Sequence, residues 1–390
     1  MAFISRRVAS LPAYLFSEFA RKKKELQDKG HDIIDLGIGA PDLAPPVFIR
    51  ERLIEELQHP ENHRYSPYSG CKEFKEAVAS FYERHYQVEL DPEKEVLALI
   101  GSKEGIAHVM QAVIDPGEKV IVPDPGYPVY AKGIHLAGGK AVCLPLDSRR
   151  GYIPCFDRIA PGDAERSKLM LLNYPGNPTA ATVEYDIFKQ AITYAEKHDL
   201  AVVNDAAYDL VTFGDYQAPS ILQVPGSKER AVEFGSLSKS FSMAGWRIGY
   251  AVGNREIIEG LSTLKSNMDT SQFLPIQKAA AEALNGGLES VEENNRMYER
   301  RMETMHAGLQ EIGIKAEKPR GTLFLWAEVP EGCGSQAFAD MLLEEIGVLV
   351  TPGSAFGKEG EGYFRIALTV PVERLNEVIR RWKKLGTGGD

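Results

Sequence analysis

Lys239 stands among serines in the stretch Ser236-Leu-Ser-Lys-Ser-Phe-Ser-Met-Ala-Gly-Trp-Arg-Ile-Gly-Tyr250, directly after the apolar-leaning run Ala231-Val-Glu-Phe234. A lysine at the end of a buried strand, flanked by hydroxyls rather than carboxylates, has no salt-bridge duty there. It suits an amine that must be neutral part of the time, as Schiff-base chemistry requires. Eight residues on, past a glycine, comes a second cation, Arg247. Most lysines are solvated surface residues, so the weight given to Lys239 depends on the company it keeps.

That company sits at the ends of a series of apolar runs. Val96-Leu-Ala-Leu-Ile100 ends in Gly101-Ser-Lys-Glu-Gly105, and Lys119-Val-Ile-Val122 ends in Pro123-Asp-Pro-Gly-Tyr-Pro128. Lys140-Ala-Val-Cys-Leu144 is a further run. Lys168-Leu-Met-Leu-Leu172 leads into Asn173-Tyr-Pro-Gly-Asn-Pro-Thr179, and Leu200-Ala-Val-Val203 into Asn204-Asp205-Ala-Ala-Tyr208. Continuous apolar runs are what strands buried on both faces require. Their alternation with helical segments predicts a mostly parallel, doubly wound α/β sheet. Ligands of such sheets bind beyond the carboxyl ends of the strands, where Ser102, Tyr127, Asn177, Asp205, Ser236 and Lys239 all fall. The strand expected over Arg247 to Val252 follows a connection too short for a helical crossover and should run antiparallel to its neighbour.

Around this unit the pattern changes. Residues 273 to about 312 read as long helices interrupted at Gly286-Gly287, and Val47 to Leu57 as another. Gly321 to Glu328 alternates, Phe338 to Glu345 is helical, and Val348 to Val350 and Gly362 to Leu368 read as strands before a closing amphipathic helix over Val372 to Leu385. The expected organisation is an arm and part of a small domain over 1–45, a large α/β domain over 46–289, and a small α+β domain over 290–390. Near the start, Leu15, Phe16 and Phe19 share one face of an amphipathic helix whose Lys22-Lys23-Lys24 run reads as a solvated face. Arg6-Arg7 and the apolar residues after it look faintly like an export signal, but Ser17, Glu18 and the basic run that follows cut it off.

The chain has 390 residues, 44% of them hydrophobic and 26% charged, with a net charge of −10. That length favours two domains or one with a lobe, and the acidic balance argues against nucleic acid or an anionic membrane as partner. The four cysteines, Cys71, Cys143, Cys155 and Cys333, form no Cys-x-x-Cys pair. A zinc site or disulfide framework is not expected, and a reducing cytoplasm is. Nothing approaches the roughly 20 apolar residues that span a bilayer.

Taken in order, Asn-Pro-Thr at 177–179, Asp205-x-x-Tyr208, Ser-x-Ser-Lys at 236–239, Gly-x-Arg-x-Gly at 245–249 and Arg365 resemble the class I/II aminotransferases of the pyridoxal-phosphate fold type I group. Gly-Ser-Lys-Glu-Gly at 101–105, Asn-Tyr-Pro at 173–175 and Gly-Trp-Arg-Ile-Gly at 245–249 are similar to the branch containing LL-diaminopimelate and related bacterial aminotransferases. The resemblance covers nearly the whole chain and implies a mostly parallel seven-stranded sheet with helices on both faces. It also implies pyridoxal 5'-phosphate as cofactor and transfer of an amino group from an L-amino acid to a 2-oxo acid, 2-oxoglutarate as the acceptor, in a ping-pong cycle.

The resemblance implies a role for each motif residue. Lys239 holds the cofactor as a Schiff base and moves the substrate proton. Asp205 pairs with the pyridine nitrogen, and Tyr208 and Asn177 bond the phenolic oxygen. The Ser102 and Lys103 amides, the Ser236 and Ser238 hydroxyls and Arg247 cup the phosphate, with Tyr65 arriving from a second subunit of a homodimer. Tyr127 stacks on the ring. Arg365 clamps the substrate carboxylate, helped by Gly39 and Asn177, with Tyr14 also at the substrate. Plainer readings stand beside these: Asp205 as a helix cap, Asn177 as a turn residue before proline, Tyr127 as core packing, and Arg365 in a structural ion pair. Two departures stand out. The common Asn-Pro-Thr-Gly ends here in Ala180, and no second arginine is evident for a side-chain carboxylate, which counts against aspartate specificity. The rivals are a β-lyase on the same fold and the aminotransferase-like domain of a transcription regulator; the latter would carry a helix-turn-helix module ahead of the fold.

Overall fold

The computed structural model describes residues 3–12 and 15–386. A short strand, β1 (Ile34–Asp35), comes first, and the large sheet then forms from β2 (Val96–Leu99), β3 (Lys119–Asp124), β4 (Lys140–Pro145), β5 (Ser167–Leu172), β6 (Ala201–Asp205), β7 (Ala231–Ser236) and β8 (Gly249–Gly253). These seven strands lie in the order β2-β8-β7-β6-β5-β3-β4. All neighbours are parallel except β8, which runs antiparallel to both β2 and β7. The mostly parallel sheet and its one reversed strand are as the sequence predicts, and the seven strands are as the resemblance implies. The apolar runs of β5 to β8 are buried nearly throughout, whereas β4, at the edge, exposes Lys140, Ala141 and Cys143.

The register places the chemistry. Asp205, the last residue of β6, is level with Phe234 of β7, two residues before Ser236. Ser236 in turn is level with Gly249 of β8, and Leu99 of β2 is level with that same glycine from the other side. The carboxyl ends of β2, β5, β6 and β7 therefore deliver Ser102, Asn177, Asp205 and Lys239 to one rim of the sheet. Helices cover both faces. Lys72–Tyr86 buries Phe74, Val78, Phe81 and Tyr82, and Ser102–Val113 buries Ile106, Val109 and Met110.

The second layer of architecture is smaller. The strand β9 (Phe324–Glu328) pairs with β12 (Tyr363–Ala367), which pairs with β11 (Thr351–Pro352), all antiparallel. The strand β10 (Val348–Leu349) pairs in parallel with β1, so the amino-terminal segment completes this lobe. Helix Glu289–Glu311 packs Tyr298, Met302, Met305 and Leu309 into the lobe's core with Leu375, Val378 and Trp382 of the closing helix Val372–Gly386. The helix breaks at Gly286 as the glycine pair predicts.

One reading changes. Helix Leu15–Asp28 does bury Phe19, but its basic run is only partly a solvated face. Lys22 pairs with Asp340 at 2.7 Å and Lys23 with Asp35 at 2.9 Å, while Lys24 is exposed. The two lysines tie the helix to the small lobe, because their long stems reach acids fixed there.

Candidate functional site

A cavity of about 450 Å³ opens at the rim of the large sheet, between it and the small lobe. Its walls bring together Gly39, Ser102, Lys103, Tyr127, Asn177, Asp205, Tyr208, Ser236, Ser238, Lys239, Arg247 and Arg365. These come from both lobes and from distant stretches of sequence. Two residues expected at the site are not part of this lining. Tyr65 is 93% exposed on the surface, and Tyr14 lies outside the described residues.

Lys239 sits in the short helix Leu237–Ser240, whose cap Ser236 accepts a hydrogen bond from the Ser238 amide at 3.2 Å. Its Nζ donates to the Gly39 carbonyl at 2.6 Å and lies 5.8 Å from the centre of the Tyr208 ring. Burial, with Arg365 and Arg247 nearby, lowers its pKa to about 8, against an opposing pull from Asp205. Desolvation and like charge both disfavour the ammonium form, so this amine is within reach of neutrality near pH 7 to 8.

Asp205 is buried, and burial raises its carboxyl to about 6. Hydrogen bonds hold it back from rising further: the Tyr130 hydroxyl donates to Oδ2 at 2.8 Å and the Ala207 amide to Oδ1 at 3.3 Å. From the same residue a relay of hydrogen bonds leads to the small lobe. Asn173 Nδ2 donates to the Asp205 carbonyl at 2.7 Å, the Asn177 amide donates to Asn173 Oδ1 at 2.8 Å, and Arg365 Nη1 donates to Asn177 Oδ1 at 2.6 Å.

The Arg365 guanidinium is buried on β12. Its Nη2 donates to the Gly37 carbonyl at 2.7 Å, and its Cζ lies 4.2 Å from the Phe324 ring centre and 4.8 Å from that of Phe356. Held between two aromatic faces, the fork has a fixed plane. Gly39 passes so close to Phe324 that a Cβ there would run into the ring. At the far end of the cavity, Arg247 takes a left-handed backbone (φ 57°) and donates to the Ala244 carbonyl at 2.8 Å. Gly101 (φ 77°) caps helix Ser102–Val113, and a Cβ on it would strike the Arg247 guanidinium. Bare backbone therefore lets the helix amino terminus and Arg247 share one corner.

Behind that corner, buried Lys265 bonds Glu104 Oε1 at 2.8 Å and Asp269 Oδ1 at 3.0 Å. Glu104, His108 and Asp269 bring ligand-type atoms within 4.8 Å of one another, but the lysine ammonium already fills the role a cation would take there.

The donor set fits pyridoxal phosphate. One corner offers an arginine, two serine hydroxyls and a helix amino terminus, the combination that binds a phosphate dianion. Elsewhere in the same cavity a buried carboxylate can meet a protonated ring nitrogen, and a lysine with lowered pKa can meet an aldehyde. Several contributors escape a sequence reading. Tyr130, Phe324 and Phe356 look like ordinary core aromatics, and Asn173, though it stands in the Asn-Tyr-Pro motif at the end of β5, carries no sign of its relay.

The family model "Aminotransferase class I and II" matches residues 31–381. The chain is 46% identical to the LL-diaminopimelate aminotransferase of Moorella thermoacetica over 381 residues, 98% of each chain. It is 47% identical to that of Syntrophobacter fumaroxidans over 386 residues, 99% of this chain and all of the relative. Among solved structures, substrate-bound BacF from Bacillus subtilis superposes with a TM-score of 0.96 at 37% identity, covering 99% of this chain and 98% of that one. A Thermus thermophilus aspartate aminotransferase double mutant gives 0.93 at 28% identity, over 99% and 100%.

Proposed function

The chain belongs to the class I and II aminotransferases, and from that premise we propose how its own residues move an amino group from an L-amino acid to a 2-oxo acid. It is a transaminase dependent on pyridoxal 5'-phosphate. When bound, the cofactor draws electrons from the substrate α-carbon and makes its proton labile. The observation that carries the reading is that Lys239, Asp205, Arg247 and Arg365 line one cavity.

Arg247, Ser102, Lys103, Ser236 and Ser238 would hold the phosphate. Asp205 would face the ring nitrogen, where its negative charge stabilises a proton, and Tyr208 and Asn177 would bond the phenolic oxygen. Tyr127 would lie against the ring. Lys239, with its pKa lowered to about 8, would anchor the cofactor and afterwards carry the proton between the substrate α-carbon and the cofactor. A lysine near its ordinary pKa would be too fully protonated for that work. Arg365, backed by the Gly39 segment, would receive the α-carboxylate that donor and acceptor share. A single carboxylate grip for both supports a ping-pong order, in which the first product leaves before the acceptor enters.

The amino donor we propose is LL-diaminopimelate, with 2-oxoglutarate as acceptor. Support comes from relatives of that name at 46–47% identity over nearly the full chain. We further propose a homodimer. Tyr65 and Ile54, 93% and 59% exposed, stand with Val47, Tyr68, Met268 and Phe273 as large exposed apolar or aromatic residues. The Tyr65 loop is fastened beside the cavity, because Ser66 donates to the Gln272 carbonyl at 2.7 Å and Gln272 donates to the Arg247 carbonyl at 2.5 Å. Tyr65 nonetheless points outward, as a residue serving a second subunit's phosphate would. The four cysteines are free thiols, which suits a reducing cytoplasm. Among the described residues no helix is long and apolar enough to cross a membrane.

The test is to follow the cofactor's absorbance while adding a panel of donors, then 2-oxo acids. Loss of the resting band with LL-diaminopimelate and its return with 2-oxoglutarate is expected. Preference for an aromatic donor would overturn the substrate assignment, and steady ammonia release without an acceptor would favour a lyase. Lys239→Ala should bind cofactor and fail to turn over; normal turnover would sink the assignment of Lys239.

A further inference from the structure

Arg301 is a buried cation of helix Glu289–Glu311 that the reaction, as derived above, does not use. Its guanidinium forms a two-pronged pair with Asp42: Nη1 to Oδ1 at 2.7 Å and Nη2 to Oδ2 at 2.8 Å. Nη1 also donates to the Leu368 carbonyl at 3.1 Å, and the Tyr298 ring lies 5.3 Å from its Cζ. The two partners occupy telling positions. Asp42 lies three residues past Gly39, and Leu368 three residues past Arg365. One guanidinium thus joins the ends of the two segments expected to receive the substrate carboxylate.

The segment from Gly37 to Asp42 is a strap with little regular structure that supplies Ile38, Gly39 and Ala40 to the cavity wall. Main-chain carbonyls fasten its first part. Gly37 accepts from Arg365 at 2.7 Å and from Thr351 Oγ1 at 3.0 Å, Ile38 from Thr369 Oγ1 at 3.0 Å, and Gly39 from Lys239 at 2.6 Å. One of those donors, Lys239, must leave its bond when the cofactor binds, and another, Arg365, also has to receive the substrate carboxylate. Thr351, Thr369 and the Asp42–Arg301 pair are not part of that exchange.

We propose that Arg301 and Asp42 are positioning residues that hold the strap against Arg365, and so set the affinity of the site for the carboxylate of both substrates. The proposal rests on the aminotransferase reading and deepens it. A forked, bidentate cation suits the role because it fixes angle as well as distance. A lysine would supply charge at one point and could not span Asp42 and the Leu368 carbonyl in the same way.

The purified holoenzyme, with Arg301→Met, Arg301→Lys and Asp42→Asn variants, provides the test. Calorimetric titration of 2-oxoglutarate, which needs no turnover, should show affinity about tenfold weaker in each variant. Where turnover is measured, KM for donor and acceptor should rise together by about tenfold while kcat stays within about threefold. Cofactor affinity should be unchanged. Arg301→Lys should recover thermal stability better than it recovers 2-oxoglutarate affinity. The double variant Arg301→Met with Asp42→Asn should be no worse than the worse single change, since the two act through one contact. Unchanged 2-oxoglutarate affinity in Asp42→Asn, the milder substitution, would overturn the proposal. So would a loss of cofactor affinity or kcat with KM unmoved, which would mark a merely structural pair. Failure of the wild-type enzyme to exchange amine with any donor would defeat the function reading instead, while the titration would still judge the clamp.

Discussion

Tyr130 donates its phenolic hydrogen to Asp205 Oδ2 across 2.8 Å, inside a pocket where both are buried. The bond favours the carboxylate form of a group that burial pushes towards the neutral acid, with its pKa at about 6. Removing the hydroxyl takes away a stabiliser of the charged form, so the pKa must rise further. Tyr130→Phe should therefore weaken the hold of the carboxylate on the ring nitrogen and lower kcat/KM near neutrality by about tenfold. Steady-state kinetics and cofactor titration on both proteins check this, and unchanged values in both would count against the role assigned to Asp205.

Arg365 makes a second prediction because its fork is already committed in plane. Asn177 Oδ1 and the Gly37 carbonyl take two donors, and the Phe324 and Phe356 rings bracket the guanidinium. Arg365→Lys keeps a charge but loses the planar fork, so KM for donor and acceptor should both rise, by about a hundredfold. Steady-state kinetics with each substrate varied in turn would show it. A rise for only one substrate would mean that the two carboxylates do not share this residue.

The large sheet and most of the cavity are legible in the sequence for a physical reason. Strands buried on both faces must be apolar, so Asp205, Asn177 and Lys239 stand out where such runs stop. What is not legible acts across long separations between residues of unremarkable type. Tyr130 lies in helix Val129–Ala137, 75 positions from Asp205, and reads as one more buried aromatic. Asp42 and Arg301 are 259 positions apart and carry no local pattern linking them. The Lys22 pair with Asp340, 318 positions away, is invisible for the same reason; the Lys23 pair with Asp35, only 12 away, is invisible because a basic run looks solvated until the fold supplies acids for it.

A third prediction concerns stability. Asp209 is buried beside Glu233 and accepts from the Tyr86 hydroxyl at 3.0 Å; burial, then the Glu233 charge, raise its carboxyl to about 7. The folded chain thus holds this proton more tightly than the unfolded chain, where a carboxylate titrates near 4. Asp209's contribution is therefore most favourable at low pH and is lost as pH rises through the window from about 4 to about 7. Asp209→Asn does not titrate. Relative to the wild type it should gain stability as pH rises across that window, by up to about 4 kcal/mol. Denaturant titrations at pH 5 and pH 8 would reveal it, and a pH-independent difference would contradict it.

A fourth prediction follows from Tyr65, exposed on a loop that Ser66 and Gln272 fasten beside the Arg247 segment. If Tyr65 completes the phosphate corner of a second subunit, a site needs Lys239 from one chain and Tyr65 from the other. Tyr65→Ala and Lys239→Ala should each be poorly active or inactive as homodimers. When the two are unfolded together and reassembled, half of the dimers should be hybrids, and in each hybrid one site has both residues intact. Recovered activity should approach about a quarter of the wild type. Mixing without exchange of subunits should recover nothing. Were Tyr65 to serve its own chain, the intact pair would never form in a hybrid, and reassembly would restore no activity even with complete exchange.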